Sequence, residues 1–390
     1  MRLSVGLGLV LMILGLSGGD ARAASDAASD GVTDTTITFG QPTPLRGSVS
    51  ALGRGMRAGL LAAFAETNAA GGVHGRQIDL ISRNDDYTPE KSIAITRQLI
   101  EEDRVFAIIG AVGTQTSSIL IPMLGREGVP YIGAFTGASL LRRHDLKHVV
   151  NLRPSYDQET STWVEHLIRD LKINQIAIFY QSDGFGEAGR DGIRAALRRH
   201  GLTPSAESSY ERNTAVVKAA VANIQASAPQ AVAMICVYEP CAEFIKQARK
   251  QGMRPLFFNL SIVGANTLAQ ELGEEGDGVV MTQILPPFSD AQLPLAIRYR
   301  AALKAALPDE SPGYVSMEGY VLGRLVIEAL RRIEGRPTRV ALLEQLSQGS
   351  YDLDGFKLTF GAGRTQGSDA VYFTRLQKDG SFVPLAHLAQ

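Results

Sequence analysis

The sequence predicts an α/β fold of two doubly wound parallel-sheet lobes. Short β-branched runs bounded by turn residues alternate with segments of helical period, which is the pattern of parallel strands covered by helices on both faces. This alternation occurs twice, before and after residues 151–154. The chain has 390 residues, more than one hydrophobic core usually serves, so about two domains are expected.

Each lobe is predicted from its own series of strands. In the first lobe the predicted strands are 37–40, 78–82, 106–110 and 130–133. In the second lobe they are 176–180, 231–235, 256–259 and 278–282. The longest predicted helix, 316–333, places Leu322, Val326 and Ile333 on one apolar stripe. The tail from 355 to 384 alternates as strands do.

The composition excludes several functional classes. The 39 Lys and Arg residues balance 40 Asp and Glu residues, which argues against an electrostatic nucleic-acid binder. A chain that is 45% hydrophobic and 20% charged is not expected to be disordered. Two cysteines cannot hold a chain of this size together, so hydrophobic burial must do so.

The first 23 residues have the features of a secretory signal peptide. Arg2 precedes an apolar run over 3–16, and Ala21 and Ala23 supply the small residues of a cleavage site. The run is shorter than the roughly 20 residues that a membrane-spanning helix needs. We therefore expect cleavage near Ala23 and a location outside the cytoplasm.

The loops that follow the strands are the places to search for a ligand site, because open parallel sheets bind ligands beyond the carboxyl ends of their strands. Six such loops are rich in small and hydroxyl residues: 42–53, 112–118, 134–139, 181–189, 237–240 and 260–266. Thr114 and Gln115 open a helix after a strand, where free N–H groups and hydroxyls hold an anion. Ordinary N-capping is the alternative for any single loop.

One glycine motif points to an enzyme, but weakly. Residues 184–189 match the dinucleotide fingerprint G-x-G-x-x-G between a strand and a helix. However, three residues, 181–183, separate the strand from the first glycine and displace the turn from the pyrophosphate position. The sequence has no G-x-S-x-G, H-E-x-x-H or P-loop motif. We predict no catalysis, cofactor or metal; an exported α/β enzyme remains the alternative.

The two cysteines leave two interpretations open. Cys236 and Cys241 are five residues apart, so a disulfide around 237–240 is one interpretation in an oxidising compartment. The other is a pair of small buried residues, one at a strand end and one on the apolar face of the next helix.

Several segments resemble a known family. Residues 51–53 precede an amphipathic helix, and the stretch N-A-A-G-G-V-H-G-R follows at 68–76. Further similar segments are 110–117, 135–138, 156–157, 183–186 and 318–320. Together they resemble the leucine/isoleucine/valine-binding branch of the type I periplasmic solute-binding proteins, over about 35–384.

This resemblance implies two lobes joined by three crossovers, near 151–155, 283–287 and 352–355. The first lobe would comprise 35–152 and 286–353, and the second 153–285 and 354–384. A monomer in the periplasm would trap a small-molecule ligand by hinge closure and deliver it to an ABC permease in the inner membrane. No nucleic-acid partner is implied. A ligand-sensing subunit that signals to a membrane receptor or histidine kinase is the alternative.

The resemblance also implies a set of ligand-binding residues. The position that holds an amino-acid carboxylate in the family falls on Thr114. The other implied contacts are Gln115, Phe135, Thr136, Gly137, Tyr156, Asp183, Phe185, Tyr238 and Ser261. The aromatic members of this set suit an apolar or aromatic carboxylate, and core packing is their alternative role.

Ser261 departs from the family pattern. It stands where the branched-chain amino-acid binders have the acid that pairs with the ligand ammonium. A buried ammonium without a carboxylate partner is costly. Either another acid, among them Asp157, Asp183 and Glu318, takes this role, or the ligand has no ammonium.

Overall fold

Two sheets, one in each half of the chain, form the centre of the computed structural model, which describes residues 31–361 and 364–386. The predicted signal peptide lies outside the described residues. Helices cover the sheets, so the predicted α/β class with parallel-sheet lobes is confirmed. Within the described part of the chain, no helix has both the length and the apolar character that crossing a membrane requires.

The first sheet has five parallel strands in the order β2-β1-β3-β4-β5. The strands are β1 Thr36–Thr43, β2 Gln77–Asn84, β3 Ala107–Ile109, β4 Tyr131–Ile132 and β5 Val149–Val150. The helices between them are α1 Ser50–Ala69, α2 Pro89–Glu101 and α3 Thr114–Arg126. All three residues of β3 are buried, as expected for a central strand covered on both faces. Strand β5 was not predicted from the sequence, because it has only two residues.

The second sheet has seven strands in the order β14-β13-β10-β9-β8-β6-β7. Its strands are β6 Ile176–Gln181, β7 Glu207–Tyr210, β8 Ala231–Ile235, β9 Leu256–Asn259, β10 Val280–Gln283, β13 Tyr372–Leu376 and β14 Phe382–Leu385. Its helices are α4 Tyr156–Arg169, α5 Gly184–Arg199, α6 Lys218–Ala226, α7 Tyr238–Lys250 and α8 Ala265–Leu272. The last two strands are antiparallel. Edge strand β7 is largely polar, so apolar periodicity did not indicate it.

After β10 the chain returns to the first sheet. It forms α9 Pro294–Ala306, α10 Tyr314–Arg331 and α11 Arg339–Ser347. Helix α10 crosses α1 at glycines: a Cβ atom on Gly59 would lie 1.9 Å from the carbonyl oxygen of Ser316, and one on Gly319 would lie 2.3 Å from that of Met56. The two backbones are therefore too close for any side chain at these positions.

A hairpin follows, made of β11 Gly349–Leu353 and β12 Phe356–Phe360. The sequence analysis placed the third crossover at this hairpin's turn and assigned 354–360 to the second lobe. Instead the chain turns back at Asp354 and Gly355, which have φ of 54° and 96°. The hairpin packs against the end of α10, where Arg332 stacks on Tyr351 at 4.0 Å. It therefore belongs with the elements around the first sheet.

The third passage between the sheets runs beside the first. The Asn151 N–H donates to the Thr365 carbonyl at 2.7 Å, and the Gly367 N–H donates back to Asn151 at 2.9 Å. The Ser368 N–H donates to Leu152 at 3.1 Å. Two of the connections between the lobes thus form a short hydrogen-bonded ribbon.

Candidate functional site

Loops from the two sheets meet face to face. Gln115, after β3, accepts a hydrogen bond at Oε1 from the Gly184 N–H at 3.3 Å. The Ala51 N–H donates to the hydroxyl of Tyr238 at 3.4 Å. These contacts join the carboxyl ends of both sheets, where ligands bind in α/β folds. The lobes are therefore in contact across the predicted cleft.

Three hydroxyl groups form a chain between the two sheets: Thr114 and Thr136 follow strands of the first sheet, and Tyr156 begins α4 beside the second. Thr114 begins α3 and is buried, with its Oγ1 2.6 Å from Oγ1 of Thr136. Thr136 donates in turn to the Tyr156 hydroxyl at 3.2 Å. Burial raises the pKa of Tyr156, which keeps this group neutral. The site thus offers neutral donors and acceptors next to the N-terminus of a helix.

An aromatic pair from α4 and α5, two helices of the second sheet, lies beside these hydroxyls. The rings of Tyr156 and Phe185 are 5.7 Å apart between centroids. Gly137 lies so close that a Cβ there would be 2.5 Å from the Tyr156 ring, and its carbonyl accepts the Tyr156 N–H at 2.7 Å. Gly137 therefore determines the position of this aromatic side chain.

The glycine motif at the start of α5 serves packing. Asp183 caps the helix, accepting from the Phe185 N–H at 2.9 Å and the Gly186 N–H at 3.3 Å. A Cβ on Gly186 would lie 1.8 Å from the Gln181 carbonyl oxygen, and one on Gly189 would lie 2.6 Å from Ile235. The glycines thus let the helix lie close to its own sheet.

A disulfide holds the loop that carries Tyr238. Cys236, directly after β8, and Cys241, in the first turns of α7, are bonded, with Cα atoms 5.6 Å apart. Of the two interpretations left open by the sequence, the disulfide is the one found. Tyr238 is the first residue of α7 and is only 6% exposed. Its ring faces Gly264, where a Cβ would lie 3.2 Å away.

Ser261 lies above a buried carboxylate. Glu159, fully buried on α4, accepts from the Ser261 N–H at 3.1 Å and from the Ser261 hydroxyl at 3.0 Å. The hydroxyl of Thr282 donates to the same carboxylate at 2.5 Å. Position 261 is therefore a serine rather than the acid expected from the family pattern. The carboxylate of Glu159, from α4, lies next to this serine.

Arg153 is the buried cation of this region. Its Nε is 3.2 Å from Oε1 of Glu318, and its Nη2 donates to Ser261 Oγ at 2.9 Å. The guanidinium also lies 4.7 Å from the centroid of the Phe135 ring, a cation–π contact. Burial raises the pKa of Glu318 to about 7; the Arg153 charge opposes this increase and the Glu159 charge adds to it.

A small cavity lies at the inner end of the cleft. Its walls include Phe135, Arg153, Ser261, Tyr314 and Glu318. The cavity volume is about 10 Å³, which is room for about one water molecule. Within residues 31–361 and 364–386, no three His, Cys, Asp or Glu side chains are grouped as a metal site requires.

A second polar cluster lies in the cleft, around Tyr87 and Arg212, which were not predicted as site residues from the sequence. Tyr87 follows β2 with a φ of 57°, unusual for a bulky residue, and Arg212 stacks on its ring at 3.7 Å. Arg212 Nε donates to the Tyr87 carbonyl at 3.0 Å, and its Nη1 pairs with Asp183. Gln181 approaches the Tyr87 hydroxyl at 3.5 Å. The sequence did contain one indication of this cluster, because Tyr87 follows the carboxyl end of a strand, where ligand sites of α/β folds lie.

Comparison with known proteins identifies the family. The sequence model described as periplasmic binding protein matches residues 36–381. This match includes every strand of both sheets except β14, and all the cleft residues described above. The chain belongs to the periplasmic binding protein family. Within this family it is a type I periplasmic binding protein of the leucine/isoleucine/valine-binding-protein-like branch, which confirms the resemblance seen in the sequence.

Three relatives illustrate how far the similarity of this periplasmic binding protein extends. A possible leucine/isoleucine/valine-binding protein from Rhodopirellula baltica SH 1 is 36% identical, with a TM-score of 0.86 over 92% of this chain and 97% of that one. The Leu/Ile/Val-binding protein homolog 7 of Brucella abortus is 24% identical over 374 residues, 91% of this chain and 88% of that one. An amino acid binding protein of Pseudomonas aeruginosa is 23% identical over 248 residues, 63% of this chain and 66% of that one.

Glu318 should give this periplasmic binding protein a pH-dependent stability. The raised pKa means that the folded state holds the Glu318 proton more tightly than the unfolded state, whose pKa is 4.5. This contribution is complete below pH 4.5 and is lost as the pH rises through about 7. At 1.36 kcal/mol per pKa unit, the full loss is on the order of 3 kcal/mol.

The measurement is the free energy of unfolding of the wild type minus that of Glu318→Gln, between pH 4.5 and 8. The glutamine cannot titrate, so the difference removes the contributions of other groups, including the raised pKa of Asp85 and the lowered pKa of His148. We expect the difference to decrease with rising pH. A difference that stays constant would contradict the prediction.

Proposed function

We propose that the protein is the solute-binding subunit of an ABC importer. In this role it binds a small amino acid, or an aliphatic or aromatic carboxylate, between its lobes by hinge closure and performs no catalysis. It acts as a monomer in the periplasm after loss of residues 1–23, without a cofactor, and delivers the ligand to a permease in the inner membrane.

The contact of the two loop sets across the cleft is the observation that carries this proposal. Gln115 with Gly184 and Ala51 with Tyr238 are hydrogen-bonded between elements of different sheets. Such contacts break without loss of either core when two lobes rotate apart, as in hinge motions around a ligand. Opening would expose the hydroxyls, the Tyr156–Phe185 pair and Ser261 together.

We place the lobes largely as the sequence implies. The first lobe comprises 35–152 and 286–353, and the second comprises 153–285 and the chain up to 384. The exception is 354–360, which we move to the first lobe because β12 pairs with β11. The names of the relatives support the ligand class, since they describe Leu/Ile/Val-binding or amino acid binding proteins.

A thermal-shift screen of the purified mature protein tests this function. The panel contains amino acids, aliphatic and aromatic acids, and amides. A ligand at 100 times its Kd should add about 2.7 kcal/mol to stability, which is an easily measured increase in Tm. If no compound of these classes shifts the Tm, the proposed function is wrong.

Thr114→Ala and Tyr238→Ala test the location of the site. Each variant should bind the screened ligand about tenfold or more weakly, because it removes a polar contact in the cleft. Each should also lose stability without ligand, because both side chains are buried. The matched control is Thr338→Ala, which removes the helix cap at Ala341 far from the cleft. That variant should lose about 1 kcal/mol of stability and no affinity. An equal loss of affinity in the control would contradict this location.

A further inference from the structure

One buried cation of the cleft has an unused hydrogen-bond donor. Arg153 is 1% exposed and lies in the first connection between the sheets. Its Nη2 donates to Ser261 Oγ at 2.9 Å and to Glu318 Oε2 at 3.2 Å. Its Nη1 is equally buried and has no hydrogen-bond partner among the described residues; its Nε also has no hydrogen bond but is 3.2 Å from Oε1 of Glu318. A buried charged donor left in this state is costly, so a partner for it is expected.

The acids near Arg153 are already engaged. Glu159 accepts three hydrogen bonds from Ser261 and Thr282. Both oxygens of Glu318 face Arg153. None of these contacts leaves a free carboxylate aimed at the cavity, and the Ser261 hydroxyl is itself engaged on both sides.

Asp157 and Asp183, the other acids that the sequence offered as partners for a ligand ammonium, are engaged as well. Asp157 accepts from the Ser139 hydroxyl at 2.5 Å. Asp183 caps α5 and pairs with Arg212. A ligand ammonium would therefore have to displace an existing partner, whereas a ligand anion would meet a donor that is free.

The walls around Arg153 suit an apolar ligand body. The cavity is lined by the side chains of Phe135, Ile284, Leu285, Tyr314 and Val315 in addition to the polar groups. Nonpolar surface next to a guanidinium nitrogen without a partner suits a hydrophobic acid, because the apolar part is desolvated favourably while the carboxylate accepts from the free donor.

We propose that Arg153 binds the carboxylate of the ligand through Nη1, and that the ligand is a carboxylic acid with an apolar aliphatic or aromatic body and no ammonium group. This inference rests on the proposed function and narrows its ligand class. The cavity of about 10 Å³ admits no more than a water, so the carboxylate reaches Arg153 when the lobes move apart.

A matched series of compounds on the wild-type protein is the first test. The series pairs 4-methylpentanoate with leucine and with isoamylamine, and 3-phenylpropanoate with phenylalanine and with phenethylamine. Calorimetry or thermal shift should show the deaminated acid of a series binding at least about tenfold more tightly than its amino acid, with no binding of the amine.

Variants of the arginine are the second test. Arg153→Met should bind the deaminated acid about tenfold or more weakly than the wild type. Arg153→Lys should also bind at least about tenfold more weakly, because one ammonium cannot serve Ser261, Glu318 and a ligand as the planar guanidinium does. The matched control is Arg324→Met. Arg324 is a buried arginine that pairs with Asp354 outside the cleft, so this variant should bind the acid as tightly as the wild type does.

The outcomes separate the inference from the proposed function. If the amino acids bind as tightly as the deaminated acids, or if an Arg153 variant binds like the wild type, the inference is overturned and the proposed function stands. If neither acids nor amino acids bind the folded wild type, both are overturned. Should Arg153→Met fail to fold, the lysine variant and the compound series decide alone.

Discussion

Gly59→Ala is expected to destabilise the protein by about 3 kcal/mol or more, which is at or beyond the upper end of overpacking effects. The added Cβ would lie 1.9 Å from the Ser316 carbonyl oxygen, 2.5 Å from the Tyr320 nitrogen and 2.8 Å from the Gly319 carbonyl carbon. All three are backbone atoms of α10, so no rotamer change relieves the clash. The two helices would have to move apart, and their buried apolar faces would lose contact.

Urea unfolding of Gly59→Ala and Gly55→Ala measures this effect. Gly55 lies one turn earlier on α1, where a Cβ would be 2.9 Å from Val315 Cγ1 and 3.7 Å from the backbone nitrogen of Ser316. Alanine also favours a helix over glycine by about 1 kcal/mol, so Gly55→Ala should cost clearly less than Gly59→Ala. If both substitutions lower the free energy of unfolding equally, the close backbone contact between α1 and α10 at Gly59 is not the cause of the destabilisation.

Glu159→Ala is expected to cost about 3 to 5 kcal/mol, the range found when one partner of a buried ionic network is removed. The substitution would leave three buried donors without an acceptor: the Ser261 N–H, the Ser261 hydroxyl and the Thr282 hydroxyl. It would also leave the charge of Arg153 less compensated, because this arginine bonds to the same serine. The loops after β9 and β10 would lose their anchor on α4.

The free energy of unfolding of Glu159→Ala should be compared with that of Glu159→Gln and Glu165→Ala. The glutamine keeps one acceptor and the shape, so its loss should be smaller. Glu165, on the same helix, pairs with Arg169 near the surface, and its removal should cost less than about 1 kcal/mol. A Glu159→Ala loss no larger than that of Glu165→Ala would mean that the network does not stabilise the hinge region.

The fold was predictable from the sequence where local patterns are long. The eight predicted strands appear because each central strand is an apolar run bounded by turns, as in β8 and β3. Strand β5 has two residues, and β7 is polar, so neither has a period to detect. The turn at Asp354 was predicted to be a crossover, because the sequence of a turn between two strands does not show whether the second strand pairs with the first or joins the other sheet.

The candidate site was predictable only in part. Small residues and aromatics at strand ends, such as Gly137 and Tyr156, stand out in the sequence. The charged groups do not, because their partners are distant in the chain. Arg153 and Glu318 are 165 residues apart, and Arg212 and Tyr87 are 125 apart. Apolar periodicity contains no information on such pairs.

The ribbon formed by residues 151–152 and 365–368 has a mechanical consequence for ligand exchange. Since hydrogen bonds tie these two connections together, they bend as one element when the lobes separate. The paired connections and the connection after β10 would together define one axis about which the lobes rotate. Under the proposed hinge closure, these connections would then restrict the direction in which the cleft opens for a ligand.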